Sequence, residues 1–307
     1  MKQRMLHFRW LLPFAIILYL TSCQSPAPKN PGDQTEQPDS PGQGDTAGWA
    51  DPREVRKENF KGDIKLDVRD SKSDWDAYTP KRAPANSPNV LFILYDDTGL
   101  ASWSPFGGII NMPTLQRLAD SGLIYTQWHT TALCSPTRST LLTGRNHHLT
   151  GNAAITETAD GYPGAHGRIP AQCATVGQIL QANGWSTFWI GKDHNVPEQD
   201  IASGASRKQW PLQMGFDRYY GYLGGETNQW YPDLVEDNHF TDPPYGPEKG
   251  YHLSKDLADK AMEYIRDQKA ANPSKPWFMW YCPGANHAPH HAPAEYIAKY
   301  KGKFDGG

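Results

Sequence analysis

A single cysteine introduces the segment most able to do chemistry, Leu133-Cys-Ser-Pro-Thr-Arg-Ser-Thr-Leu-Leu-Thr-Gly-Arg145. Pro136 suits the first turn of a helix, Ser135 is its expected cap, and Gly144 suits the stop. Cys134 is then held at a helix N-terminus, where the dipole favours an anion on it or bound beside it. Arg138, one turn on, can face the same point and hydrogen-bond an oxyanion. Two plainer readings compete: a buried structural cysteine, and an ordinary thiolate nucleophile activated by the dipole and a nearby histidine. Three further segments add polar groups. Asp96-Asp97 sets two carboxylates side by side; their repulsion is relieved by a divalent cation, although such a pair alone is more often a solvated turn. Gly191-Lys192-Asp193-His194 and Asn286-His287-Ala-Pro-His290-His291 supply a cation and imidazoles. A loop histidine alone is usually a surface residue. Their shared position at the ends of apolar runs argues for one pocket.

Those runs define the elements that must position the chemistry. Asn89–Leu94 is continuously apolar, as expected of an interior strand buried on both faces; Thr187–Ile190 and Trp277–Tyr281 are further strands. Pro113–Ser121 reads as a short helix ended by Gly122, and Cys173–Gln181 as a second, closed by Gly184. Leu253, Leu257, Ala261 and Ile265 recur every four residues, predicting a long amphipathic helix with Ser254 as cap and Asn272-Pro273 as stop. Ile64, Leu66 and Val68 alternate with polar residues, the pattern of a half-buried strand. No internal repeat is present. The alternation defines an α/β fold with a mostly parallel sheet, whose ligands sit beyond the carboxyl ends of its strands. Length and composition agree: 307 residues, 38% hydrophobic and 21% charged, suit a globular chain, and a net charge of −3 gives no reason to expect a nucleic-acid partner. The 28 Gly and 26 Pro predict long functional loops.

Cys134-Ser-Pro-Thr-Arg138, followed by Ser139-Thr-Leu-Leu-Thr-Gly-Arg145, closely resembles the signature of the formylglycine-dependent sulfatases. Supporting segments stand in the family's order: Asn89-Val-Leu-Phe-Ile-Leu-Tyr-Asp-Asp-Thr-Gly99 upstream, Gly191–His194 and Asn286–Pro289 downstream. The similarity runs from about Asp63 to the last residue and looks most like the bacterial arylsulfatases. It implies an alkaline-phosphatase-like three-layer sandwich with a mostly parallel or mixed central sheet. It also implies hydrolysis of sulfate monoesters, aryl or carbohydrate, after a maturation enzyme has oxidised Cys134 to formylglycine. By the same resemblance Asp96 and Asp97, with the modified Cys134, would ligate a divalent cation, usually calcium and otherwise magnesium. Arg138 would orient the aldehyde hydrate and Lys192 would bind sulfate oxygens. His194 matches the base that breaks down the covalent intermediate, and His287 the acid beside the leaving oxygen, with His290 as the other claimant to that place. Asp193 departs from the pattern, since such families usually carry an aromatic residue there.

Family members supply a further Asp-Asn pair and another Lys from beyond the His287 loop, and no Asp-Asn-Gly signal follows Gly284 here; Asp237-Asn238 precedes that loop and reads as loop. The expectation is therefore that residues 61–307 form the amino-terminal part of a catalytic domain, with a sheet short of strands, weak metal binding and little turnover alone. Phosphonate monoester hydrolases and related phosphodiesterases share the chemistry and are the alternative enzyme class. A noncatalytic surface lipoprotein that binds sulfated glycans, using some of the 11 Trp and 15 Tyr, is the non-enzyme alternative. Lys2, Arg4 and Arg9 before an apolar run, then Leu20-Thr-Ser-Cys23, resemble a lipoprotein signal over residues 1–23, implying export and lipidation of Cys23 in the periplasm, outer membrane or cell surface. Residues 24–60, rich in Pro, Gly, Ser, Asp and Gln, read as a tether. Cys173 and Cys282 are expected to be buried, a disulfide between them being left open. His147-His148 suits either the pocket or the surface.

Overall fold

The computed structural model describes residues 60–304. The expected signal segment with Cys23, and all but the last residue of the tether, lie outside the described residues. A six-stranded sheet organises the chain in the order β1-β6-β2-β3-β4-β5. Its strands are β1 (Val90–Ile93), β2 (Ser186–Lys192), β3 (Arg218–Tyr222), β4 (Leu234–Glu236), β5 (His239–Thr241) and β6 (Trp277–Cys282). β1, β6, β2 and β3 are mutually parallel, while β4 and β5 return antiparallel, so the sheet is mixed. The helices are α1 (Pro113–Ser121), α2 (Cys134–Thr143), α3 (Val176–Ala182), α4 (Leu253–Ala271) and α5 (Ala294–Tyr300).

Side chains of the central strands alternate between two cores, one on each face of the sheet. Trp189, Tyr219, Phe278 and Trp280 pack with Phe216 and Trp210, and with Leu142 of α2 and Val176 and Leu180 of α3. Phe188, Ile190, Tyr220 and Met279 pack on the opposite face with Leu253, Leu257, Ala261 and Tyr264 of α4. Helix, sheet and helix form the three layers of the expected sandwich. β2 pairs with a neighbour on either side and is buried along its whole length. Gly191 ends the pairing of β2 with β6 at φ +96°, where a Cβ would meet the Cys282 carbonyl oxygen at 2.1 Å. The residue must be glycine for β2 to pass the Cys282 backbone this closely in that conformation.

Several expectations need correction. β1 is not an interior strand: among the described residues only β6 flanks it, and Leu91 remains 51% exposed. No strand forms around Ile64, Leu66 and Val68, which are all exposed. Having no sheet to join, that segment makes one bridge between Asp63 and Lys72 and a single helical turn capped by the Asp67 carboxylate. α2 begins at Cys134 rather than beyond Ser135; its cap position is Leu133, which offers no side-chain hydrogen bond. Ser135 is instead buried within the first turn, and its carbonyl accepts from Asn195 Nδ2 at 3.0 Å. α3 starts at Val176, because Thr175 and Gln178 form a reciprocal capping box. His252, not Ser254, caps α4: its ring accepts from the Ser254 amide. Asn272 ends that helix as expected.

Candidate active site

Lys192, Asp193, His194 and Asn195 leave β2 in succession and all four are buried, at 0–3% exposure. Four polar residues so enclosed need partners in the protein. Lys192 Nζ lies 2.6 Å from Asp96 Oδ2, and Arg138 Nη2 lies 3.6 Å from Asp96 Oδ1. Asp96 comes from the turn after β1 and Arg138 from the second turn of α2, so three elements converge on this carboxylate. Burial works to raise the Asp96 pKa, but Arg138 and Lys192 outweigh it and hold the carboxyl below its ordinary value. Arg138 also donates from Nη1 to the Lys192 carbonyl at 3.2 Å, and its buried Nε has no partner. Two buried cations thus share one carboxylate and leave positive potential unspent. An anion is the natural complement.

Cys134 occupies the first residue of α2 and is half-buried beside these cations. Burial alone would raise its thiol pKa; interaction with His194, assisted by Lys192, lowers it instead. His194 has φ +61°, turning its ring from the end of β2 toward Cys134 and Glu157. Its Nε2 sits 2.9 Å and 3.0 Å from the two oxygens of Glu157. Desolvation disfavours the imidazolium, yet Cys134 and Glu157 raise the His194 pKa. Glu157 is pulled down to about 2, chiefly by its hydrogen bond to His194.

A second half of the site is more open. The loop after β6 is joined to the turn after β1 by a hydrogen bond from Asn286 Nδ2 to Thr98 Oγ1. This brings His287 Nε2 to 3.9 Å from Asp97 Oδ2, with Nδ1 3.8 Å from Glu226 Oε2. The Asp97 side chain is 61% exposed and that of His287 23%. Of the two histidines that competed for this place, His287 reaches the cluster and His290 lies exposed on the loop.

Asp193 does not face the cations as a free charge. Its Oδ1 accepts from the Asn195 amide at 2.9 Å, closing a local turn. Burial, opposed by that bond and by Arg138, pushes its carboxyl up to about 7. Cys282 lies near Arg138, but complete burial pushes its thiol up to about 12. Cys134, Cys173 and Cys282 are all free, so the 173–282 disulfide is absent. His147 and His148 follow the far end of α2, His147 partly exposed and His148 exposed, on the surface side of the two alternatives. Glu157, Asn195, Thr98 and Glu226 were not singled out in the sequence. Thr98 lies within the Asn89–Gly99 segment and Asn195 immediately follows Gly191–His194, so these two were close enough to a motif to have been found.

The donors suit a hard cation in kind but not in number. Among the described residues no three His, Cys, Asp or Glu side chains come together as a metal-binding group. Asp96 and Asp97 offer a fraction of the six to eight oxygens that calcium takes, and Lys192 and Arg138 already neutralise Asp96. An ion held here would require ligands beyond these two.

Two buried cations beside a thiol at a helix N-terminus, set at the carboxyl ends of parallel strands in an α/β fold, make an arrangement suited to holding an oxyanion. The sequence pattern of the Sulfatase family matches residues 88–307. The chain belongs to that family. An uncharacterized sulfatase of Schizosaccharomyces pombe is 32% identical over 241 residues, covering 74% of this chain and 43% of the relative. An arylsulfatase of Klebsiella aerogenes is 30% identical over 242 residues, covering 73% and 48%. The chain therefore spans about half the length of the relatives it matches. A solved structure in complex with its substrate D-glucosamine-2-N,6-O-disulfate superposes with a TM-score of 0.55 at 23% identity, over 70% of this chain and 37% of the other. That likeness shows a shared fold, the mixed sheet between helical layers described above.

Proposed function

We propose that the chain contributes the nucleophilic half of a sulfate monoester hydrolase, acting on aryl or carbohydrate sulfates, with Cys134 converted to formylglycine by a maturation enzyme. The observation that carries this reading is the position of Cys134: first residue of α2, half-buried, and neighbour to Lys192, His194 and Asp96. The aldehyde hydrate supplies one hydroxyl to attack sulfur and a second whose deprotonation releases sulfate.

The chain's own residues account for the rest. Lys192 and Arg138 bind the anionic oxygens of the sulfate group, and their burial strengthens that attraction as charge builds in the transition state. The helix N-terminus adds its partial positive charge at residue 134. His194 accepts a proton at Nδ1, the ring nitrogen that Glu157 leaves free. His287, on the open side, gives a proton to the departing alcohol or phenol oxygen. Asp96 sets the spacing of the two cations, and calcium or magnesium is proposed to join it and Asp97 once further donors complete the shell. Relatives named for aryl sulfates and for N-acetylglucosamine 6-O-sulfate support both substrate classes.

The same reading extends to export, with Cys23 carrying lipid and tethering the enzyme to a membrane. Radiolabelled palmitate incorporated into the native protein, and lost in Cys23→Ser, is the expected result. The central proposal is tested by mass spectrometry of the peptide containing residue 134, purified from the native host. An aldehyde or its hydrate is expected; an unmodified thiol throughout would refute the nucleophile assigned here.

A further inference from the structure

Glu157 belongs to no motif recognised in the sequence, yet it is the hydrogen-bonding partner of a buried histidine beside Cys134. It sits in a single helical turn, Thr156–Thr158, between α2 and α3. Both carboxylate oxygens lie within 3.0 Å of His194 Nε2. Thr156 Oγ1 approaches Oε2 at 3.3 Å and steadies the carboxylate. With Nε2 so engaged, Nδ1 is the remaining ring nitrogen; it is buried and has no hydrogen-bond partner. A separate element closes over the pair. Gly225, in the loop after β3, lies so near that a Cβ there would meet His194 Nε2 at 2.7 Å and Glu157 Oε1 at 2.9 Å. Its backbone is outside the left-handed region, so the glycine is required by the space and not by its conformation.

We infer that Glu157 is a positioning residue: it accepts the Nε2 hydrogen of His194, fixes the tautomer and orientation of the ring, and presents Nδ1 to residue 134, with Gly225 as the wall that keeps the pair together. A histidine whose second nitrogen is tied to a carboxylate cannot rotate away from its target, and its proton is confined to the tied nitrogen while the ring is neutral. The assignment rests on the proposed function only for what His194 does to residue 134, not for how the ring is held.

The test uses the full chain with Cys134 left as the thiol. Long-range nitrogen–proton NMR should show a protected His194 Nε2 proton, lost in Glu157→Ala and retained in Glu157→Gln, which keeps an accepting oxygen. Alkylation of Cys134 by iodoacetamide, read against Cys173 in the same molecule, should slow roughly tenfold in Glu157→Ala, the low end for losing the outer partner of a functional histidine, and recover in Glu157→Gln. Gly225→Ala should reproduce the Ala phenotype through a contact on the other side of the pair. A protected Nε2 proton persisting in Glu157→Ala, or an unchanged alkylation ratio, would overturn the assignment. Neither readout uses turnover, so a matured protein that fails to cleave sulfate esters counts against the proposed function and leaves this assignment standing.

Discussion

The two halves of the site are built to different standards of enclosure. On the β2 side, Lys192, Asp193, His194 and Asn195 are sealed under α2 and tied to Asp96, Arg138, Glu157 and Ser135. On the β1 and β6 side, Asp97 and His287 stand on loops, held by longer contacts and partly open to solvent. The sheet explains the contrast. β2 has a strand on each side and helices over both faces, whereas β1, among the described residues, has β6 alone. Under the proposed function, the anion-binding charges would be fixed before substrate arrives, which favours preorganised electrostatics, while the proposed proton donor stands on the more open loop.

Substitutions should break the two halves differently. The largest effect is expected from Lys192→Ala, which strands the buried Asp96 carboxylate next to Arg138 alone; losing one partner of such a pair costs about 3–5 kcal/mol, visible as a lower urea midpoint. Gly191→Ala comes next. It combines a left-handed backbone with overlap against the Cys282 carbonyl, and the strain alone is worth about 1–3 kcal/mol; a reduced Tm checks it. Asp193→Asn should act in the opposite direction and depend on pH. The Asp193 carboxyl rises from 3.8 to about 7 on folding, so the stability it confers is full below pH 3.8 and is lost as pH rises through about 7. Asn keeps the acceptor for Asn195 without the charge, and its Tm advantage should be greatest at pH 8 and vanish near pH 4.

Glu157 gives the converse dependence with a smaller amplitude, since its side chain is 41% exposed. Its carboxyl falls from 4.5 to about 2, so its stabilising contribution is present above pH 4.5 and disappears as pH drops through about 2. Glu157→Gln should flatten the acid limb of the stability profile in that window. The smallest effect belongs to the open half: His287→Ala should leave stability within about 0.5 kcal/mol of the parent. A loss as large as that of Lys192→Ala would erase the distinction between the halves.

Local pattern made much of this legible. Apolar runs located β1, β2 and β6, and the four-residue period located α4, because burial against a neighbouring layer imposes those spacings. The segment beginning at Cys134 and the Asp96-Asp97, Lys192, His194 and His287 positions were visible as contiguous motifs at strand and helix ends. Helix starts were less legible: Thr175, His252 and Leu133 hold the cap positions, and two of these are residue types that give little local signal. β3, β4 and β5 escaped notice because Arg218–Tyr222 mixes charge with aromatics and the other two are three residues long.

What the amino-acid order determined by itself was the α/β class, the family resemblance and the set of reactive side chains, since each is written in short-range spacing. Pairings across the chain belonged to the tertiary structure: Lys192 with Asp96 over 96 positions, Asn286 with Thr98 over 188, and Glu157 with His194 over 37. The same packing buried Asp193 against the Asn195 amide and, among the described residues, left β1 at an edge. A side chain's charge state and direction are set by what surrounds it in space, and the strand pairings and layers that bring distant residues together are not encoded in any one segment.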